Sequence, residues 1–111
     1  MNTIEYKRLN LKEGETLLDM GCGEGRHSIG ALLETSANVI GLDLSQKDLK
    51  TAKSRLYDFD LSELQTTCNF GVGNINQIPI ENSKLDAVMC SEVLEHIDCP
   101  QESVKELIRV L

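Results

Sequence analysis

The chain is short of most features that would place it outside ordinary globular enzymes. No apolar run approaches the length needed to span a membrane. The opening residues, Met1-Asn-Thr-Ile-Glu-Tyr-Lys7, lack the apolar core of a secretion signal, so a cytoplasmic setting is expected. Cysteines at 22, 68, 90 and 99 form no C-x-x-C pair and no zinc spacing, which reads as reduced, mostly buried thiols. Basic charge is also scarce: 11 Lys and Arg against 18 Asp and Glu give a net charge of −7. That balance speaks against nucleic acid as a partner, because a phosphate backbone needs a basic surface. Repeats, low-complexity tracts and internal linkers are absent too. At 111 residues there is room for one domain at most, 1–111, with 1–14 as a polar, partly helical lead-in ending near Gly14.

What is present begins at Leu17-Leu-Asp-Met-Gly-Cys-Gly-Glu-Gly25. An apolar run that stops in alternating glycines reads as a buried strand feeding a tight turn, with a helix starting near Arg26. Glycine lets the backbone take positive φ and lets a ligand come close. Such a turn at the carboxyl end of a parallel strand is a nucleotide site in most folds that contain it. The dinucleotide fingerprint G-x-G-x-x-G fails here, since its third glycine falls on Arg26, and the G-x-x-x-x-G-K-[ST] phosphate loop is missing. An NAD-binding oxidoreductase domain therefore stays only as an alternative. An acidic residue beside the turn, Asp19, suits a cationic ligand better than a pyrophosphate. About twenty residues on, Asn38-Val-Ile-Gly-Leu-Asp-Leu-Ser45 ends a second apolar run in Asp43, the position at which such units hold ribose hydroxyls. Ser45, with Asp48 three residues later, predicts a helix start.

The D-x-G-x-G-x-G pattern at Asp19–Gly25 resembles the first motif of class I S-adenosylmethionine-dependent methyltransferases, in the group typified by ubiquinone biosynthesis, and the resemblance runs from about Leu17 to the end of the chain. It implies S-adenosylmethionine as cofactor, with Asp19 near its ammonium and sulfonium groups and Gly21, Cys22, Gly23 and Gly25 forming the cradle. It carries the ribose contact to Asp43, with Leu44 beside it. In Phe70-Gly-Val-Gly-Asn-Ile-Asn-Gln-Ile-Pro79 the position that commonly holds an adenine-binding Asp is Asn74, a departure that keeps an acceptor oxygen but no charge. Ile75 is expected against the adenine face. In Leu85-Asp-Ala-Val-Met-Cys-Ser-Glu-Val-Leu-Glu-His-Ile97 the resemblance places Ser91, next to Cys90, beside the methionine portion and the acceptor.

Glu92, Glu95 and His96 fall at i, i+3 and i+4, on one side of a helix. The set suits a general base at His96, or a divalent metal as in some relatives, or plain packing as in others. His96 is taken as the catalytic candidate, and no metal is assigned. The implied activity is methyl transfer to an acceptor, with a small molecule favoured and a hydroxyl slightly preferred. The alternative is a non-catalytic cofactor-binding fragment or partner module.

Strands are expected at 16–20, 38–43, 67–71 and 85–91, and helices at 25–35, 46–58 and 101–111, with a short helical piece near 92–96. Alternating strands and helices imply an α/β fold with a parallel sheet and right-handed crossovers. The resemblance adds a Rossmann-like strand order of 3-2-1-4, helices on both faces, and strands 5–7 of the usual fold missing. The fourth strand is then an exposed edge that favours dimerisation.

Overall fold

The computed structural model describes residues 6–90 and 100–111. Its elements are β1 (Thr16–Met20), α1 (Arg26–Glu34), β2 (Asn38–Asp43), α2 (Gln46–Tyr57), β3 (Cys68–Val72), β4 (Ala87–Met89) and α3 (Pro100–Val110), preceded by a 3-10 turn at Tyr6–Leu9. All strand pairings are parallel, in the order β3-β2-β1-β4. The expected α/β architecture is thus the observed one.

The central strand explains why the sheet is covered on both sides. Leu17 and Leu18 are both fully buried, and adjacent strand residues point to opposite faces. Leu17 joins Tyr6, Ala31, Leu32, Val39 and Met89 on the face that α1 covers. Leu18 joins Met20, Leu42, Ile75, Ile78, Leu85 and Val110 on the face that α3 covers. A strand buried on both faces carries apolar residues without alternation, which is the pattern the sequence shows. The 3-10 turn is tied down by Tyr6, whose hydroxyl donates to the His27 carbonyl at 3.2 Å. Gly30 makes room for that ring: a Cβ there would collide with the Tyr6 hydroxyl.

Helix starts follow their local chemistry. Ser45 caps α2, its hydroxyl accepting from the Asp48 amide at 3.1 Å, as the sequence predicts. Gly25 precedes α1 at φ +86° without a side-chain cap. Strand β4 is shorter than expected, because Leu85 bonds outside the ladder and Asp86 meets β1 through its side chain as well as its amide, which donates to the Thr16 carbonyl at 2.9 Å. The amides of Lys84 and Leu85 donate to the Val110 carbonyl, both at 2.9 Å, and the Asp86 carboxylate accepts from the Thr16 amide at 2.8 Å. Among the described strands β4 pairs only with β1, so it is an edge. The short helix expected near 92–96, and the last residue of the expected fourth strand, lie outside the described residues.

Because the chain builds β2 and β3 on one side of β1 and then crosses to β4 on the other, the sheet has a switch point at the carboxyl ends of β1 and β4. Open α/β sheets bind ligands at such points.

Candidate functional site

The last two residues of β2 gather the segments that the sequence singles out. The Leu42 carbonyl accepts from the amides of Gly21 at 2.7 Å and Cys22 at 3.0 Å. The Asp43 carbonyl accepts from the Gly73 amide at 3.1 Å. The Asp43 carboxylate accepts from the Gly23 amide through Oδ2 at 2.8 Å and from the Ser45 amide through Oδ1 at 2.9 Å. The glycine turn, the second acidic position and the start of the Asn74 loop therefore meet at one place. Main-chain donors fix the carboxylate, and each of its oxygens keeps a second acceptor direction. Two such oxygens match a pair of vicinal hydroxyls.

The glycines of the turn do different work. Gly21, Gly23 and Gly25 have φ of +77°, +53° and +86°. A Cβ on Gly23 would meet nothing within 4 Å, so this side of the turn is open to a ligand. At Gly25 it would lie 2.9 Å from Ala52 Cβ and 3.0 Å from Phe70 Cζ, so that side is packed against α2 and β3. The open side leaves room for a ligand and the closed side holds the fold.

Asp19 lies beneath the turn, 2% exposed. Its Oδ2 accepts the Ser28 hydroxyl at 2.6 Å. Ser28 can approach because Gly41 has no side chain: a Cβ there would be 2.6 Å from Phe70 Cδ1 and 2.9 Å from Ser28 Oγ. Burial pushes the Asp19 carboxyl above its ordinary value, while the Ser28 hydrogen bond and nearby His27 pull the other way and Asp43 adds repulsion. A carboxyl raised in the folded state binds a proton more readily there than in the unfolded chain. Its contribution to stability is then full below the ordinary carboxylate value and is lost as pH rises through the raised one. Wherever it is ionised, the buried Asp19 opposes folding. Asp19→Asn retains an oxygen for Ser28 and removes the buried charge. It is expected to melt above the parent at pH 7.5, with the gap closing toward pH 4; calorimetric melts that coincide at pH 7.5 would refute this.

Cys22 is buried in the turn, and burial first, then Asp19 and Asp43, pushes its thiol up to about 12. Cys68 is likewise pushed up to about 12 by burial, and Cys90 is raised for the same reason. These groups remain thiols at neutral pH and do no thiolate chemistry. The three described cysteines are free thiols, Cys22 buried as expected and Cys68 and Cys90 only half-buried.

Leu44 stands out from the end of β2, 66% exposed. Asn74 is exposed and closes its own turn: Oδ1 accepts the Asn76 amide and its carbonyl the Gln77 amide, both at 2.9 Å. Ile75 differs from expectation, for its side chain belongs to the core cluster of Leu18, Met20 and Leu42 instead of an open base-binding face. The burial of an isoleucine in the sheet's core outweighs display at a loop. Ser91, Glu92, Glu95 and His96 lie outside the described residues; among the described ones no three His, Cys, Asp or Glu could hold a metal.

Sequence reasoning overlooked Ser28 and Gly73. Ser28 falls one turn into α1 on the face toward β1, beside Ile29 and Leu32, so helical periodicity alone would have flagged it. No helix among the described residues is long and apolar enough to cross a membrane.

Residues 18–111 match the methyltransferase domain family. A demethylmenaquinone methyltransferase of Oceanobacillus iheyensis is 33% identical over 107 residues, covering 95% of this chain and 43% of that protein. A solved S-adenosylmethionine-dependent methyltransferase of Methanosarcina mazei superposes with a TM-score of 0.82 at 26% identity, over 100% of this chain and 54% of that one. Phosphoethanolamine N-methyltransferase 2 of Haemonchus contortus, solved with S-adenosylmethionine, gives a TM-score of 0.81 at 26% identity, over 95% of this chain and 24% of that one. The chain spans less than half the length of the curated relatives it matches. With the family matched from the first strand onward and the strand order shared, this chain belongs to the S-adenosylmethionine-dependent methyltransferases.

Proposed function

We propose that the protein transfers a methyl group from S-adenosylmethionine to a small-molecule acceptor, with a hydroxyl as the acceptor group, in the cytoplasm. The observation that carries the cofactor half is the Asp43 carboxylate, held by the Gly23 and Ser45 amides beside the open face of Gly23. S-Adenosylmethionine supplies a methyl group already activated on a sulfonium, so the protein's task is alignment rather than bond polarisation. Asp43 takes the ribose hydroxyls, and Asn74 offers the adenine amine its free acceptor direction. Asp19, below the turn, places negative charge on the side where the cofactor is cationic. Ser91 borders the methionine portion. His96 takes the proton that a hydroxyl acceptor must lose. The small-molecule acceptor is supported by the chain's acidic balance and by relatives named for quinone precursors.

Calorimetric titration with S-adenosylhomocysteine and, separately, NAD tests the cofactor assignment. Saturable one-to-one binding of the first and none of the second is expected, with His96→Gln leaving that affinity unchanged while it slows turnover in the active protein. NAD binding, or silence toward both in a chain folded by circular dichroism, would overturn the reading.

A further inference from the structure

Three of the chain's four aromatic side chains, Tyr57, Phe59 and Phe70, stand around one cavity of about 550 Å³. The fourth, Tyr6, docks the 3-10 turn. The cavity lies between the second half of α2, the segment that follows it and β3, and Leu56 and Leu61 share in its lining. Local chemistry opens it. Helix α2 stops at Tyr57: the Asp58 amide donates back to the Arg55 carbonyl at 3.1 Å, and the Phe59 amide to the Leu56 carbonyl at 3.2 Å. Leu56 and Leu61 pack against the core on the α1 face, so the inner wall is aliphatic. Tyr57 and Phe59 stay in water, 89% and 43% exposed. A cavity of this size falls within the range of small-ligand sites, about 300–1,000 Å³. Apolar surface gathered in one exposed place marks a binding surface.

One cation belongs to the same wall. Lys53 precedes Leu56 and Tyr57 by three and four residues, and it lines the cavity with them. Among the described residues it makes no ion pair. Helix α2 is also the basic element of an acidic chain, with Lys47, Lys50, Lys53 and Arg55 against Asp48 alone. Asp58 and Asp60 flank Phe59 in sequence, but neither lines the cavity, and Asp60 accepts the Ser62 amide at 3.1 Å. An aliphatic inner wall, aromatic rings and one unpaired ammonium fit a flat apolar body that carries a single negative charge.

We propose that this cavity is a binding site for an aromatic carboxylate, with Tyr57, Phe59 and Phe70 against its ring and Lys53 on its charge. The site is distinct from the cofactor turn, and the inference does not depend on the cofactor reading. No residue of the turn, 21–25, lines the cavity. The link between the two is Phe70, whose ring also closes the packed side of the turn at Gly25.

The probe is 2-naphthoate, titrated by calorimetry into the parent chain, Lys53→Gln, Lys47→Gln and Phe59→Ala, with uncharged 2-naphthamide and non-aromatic cyclohexanecarboxylate beside it. The parent should bind naphthoate one-to-one, and each of the other two compounds at least about threefold more weakly. Lys53→Gln should weaken naphthoate by about three- to fivefold, the worth of one partly exposed ion pair, and leave naphthamide within about twofold. Lys47 sits on the same helix outside the cavity, so Lys47→Gln should leave both compounds within about twofold of the parent. Phe59→Ala should weaken both naphthyl compounds in similar proportion. Both lysines are exposed, so their variants keep the test open if the Phe59→Ala chain does not fold. Saturating S-adenosylhomocysteine should leave naphthoate affinity within about twofold. Displacement by it would put the probe in the cofactor cleft and overturn the inference. Equal effects of the two lysine variants, equal binding of naphthoate and naphthamide, or no saturable binding to a folded parent would each overturn it as well.

Discussion

Asp43→Ala is expected to weaken S-adenosylhomocysteine binding about 100-fold, equivalent to roughly 2–3 kcal/mol for a charge-assisted, two-pronged contact. The loss has two parts. On the proposed reading the ribose hydroxyls lose their acceptor, and in any case the amides of Gly23 and Ser45 lose theirs. Asp43→Asn separates these parts, since its single oxygen can serve one amide but not both while the side chain keeps its size. It should fall between parent and alanine. Calorimetric dissociation constants for the three chains, with melts recorded alongside, provide the check. An alanine variant that binds within twofold of the parent would remove Asp43 from the site.

The largest stability effect is expected at Gly25. Gly25→Val meets two penalties at once. The backbone at φ +86° costs a non-glycine residue roughly 1–2 kcal/mol. A Cβ within 2.9 Å of Ala52 and 3.0 Å of Phe70 forces a shift in packed neighbours, which costs about 1–3 kcal/mol more. In a domain this small, each kcal/mol lowers Tm by about 4–8 °C, so the variant should melt about 10 °C or more below the parent. Gly23→Ala makes the contrast. Its φ of +53° carries the backbone penalty, yet open space surrounds the new methyl, so stability falls less and ligand affinity falls more. Equal melting of the two variants would show that the turn is not divided into a packed and an open side.

Legibility from sequence tracked how local the cause was. The β1 and β2 boundaries and the Ser45 cap could be read because apolar runs and capping residues act within a few positions. Strand β4 came out shorter because a distant carbonyl, that of Val110, claims the amides at its entrance. Asn74 and its acceptor atom are legible in the sequence, but the turn that the Asn76 amide closes onto that atom is not, and neither is the Ser103 hydroxyl that reaches the Asn76 side chain from 27 residues further along. Ser103, Glu106 and Arg109 read in one dimension like an ordinary solvated helix face, since charge at helical spacing carries no sign of what opposes it. Ile75 was placed by resemblance alone, and hydrophobic burial sent its side chain elsewhere.

The docking of Tyr6 beneath α1 also decides what the protein looks like to light. The chain has no tryptophan and only two tyrosines, so its near-ultraviolet absorption and emission come from Tyr6 and Tyr57. One is 3% exposed with its hydroxyl bonded, and the other is 89% exposed. The two rings thus report separately. Tyr57 gives a constant, water-like background, and any change in band position or quenching follows Tyr6. A mutation that loosens the 3-10 turn from α1 can be watched optically without a label, while the far-ultraviolet spectrum follows the rest of the fold.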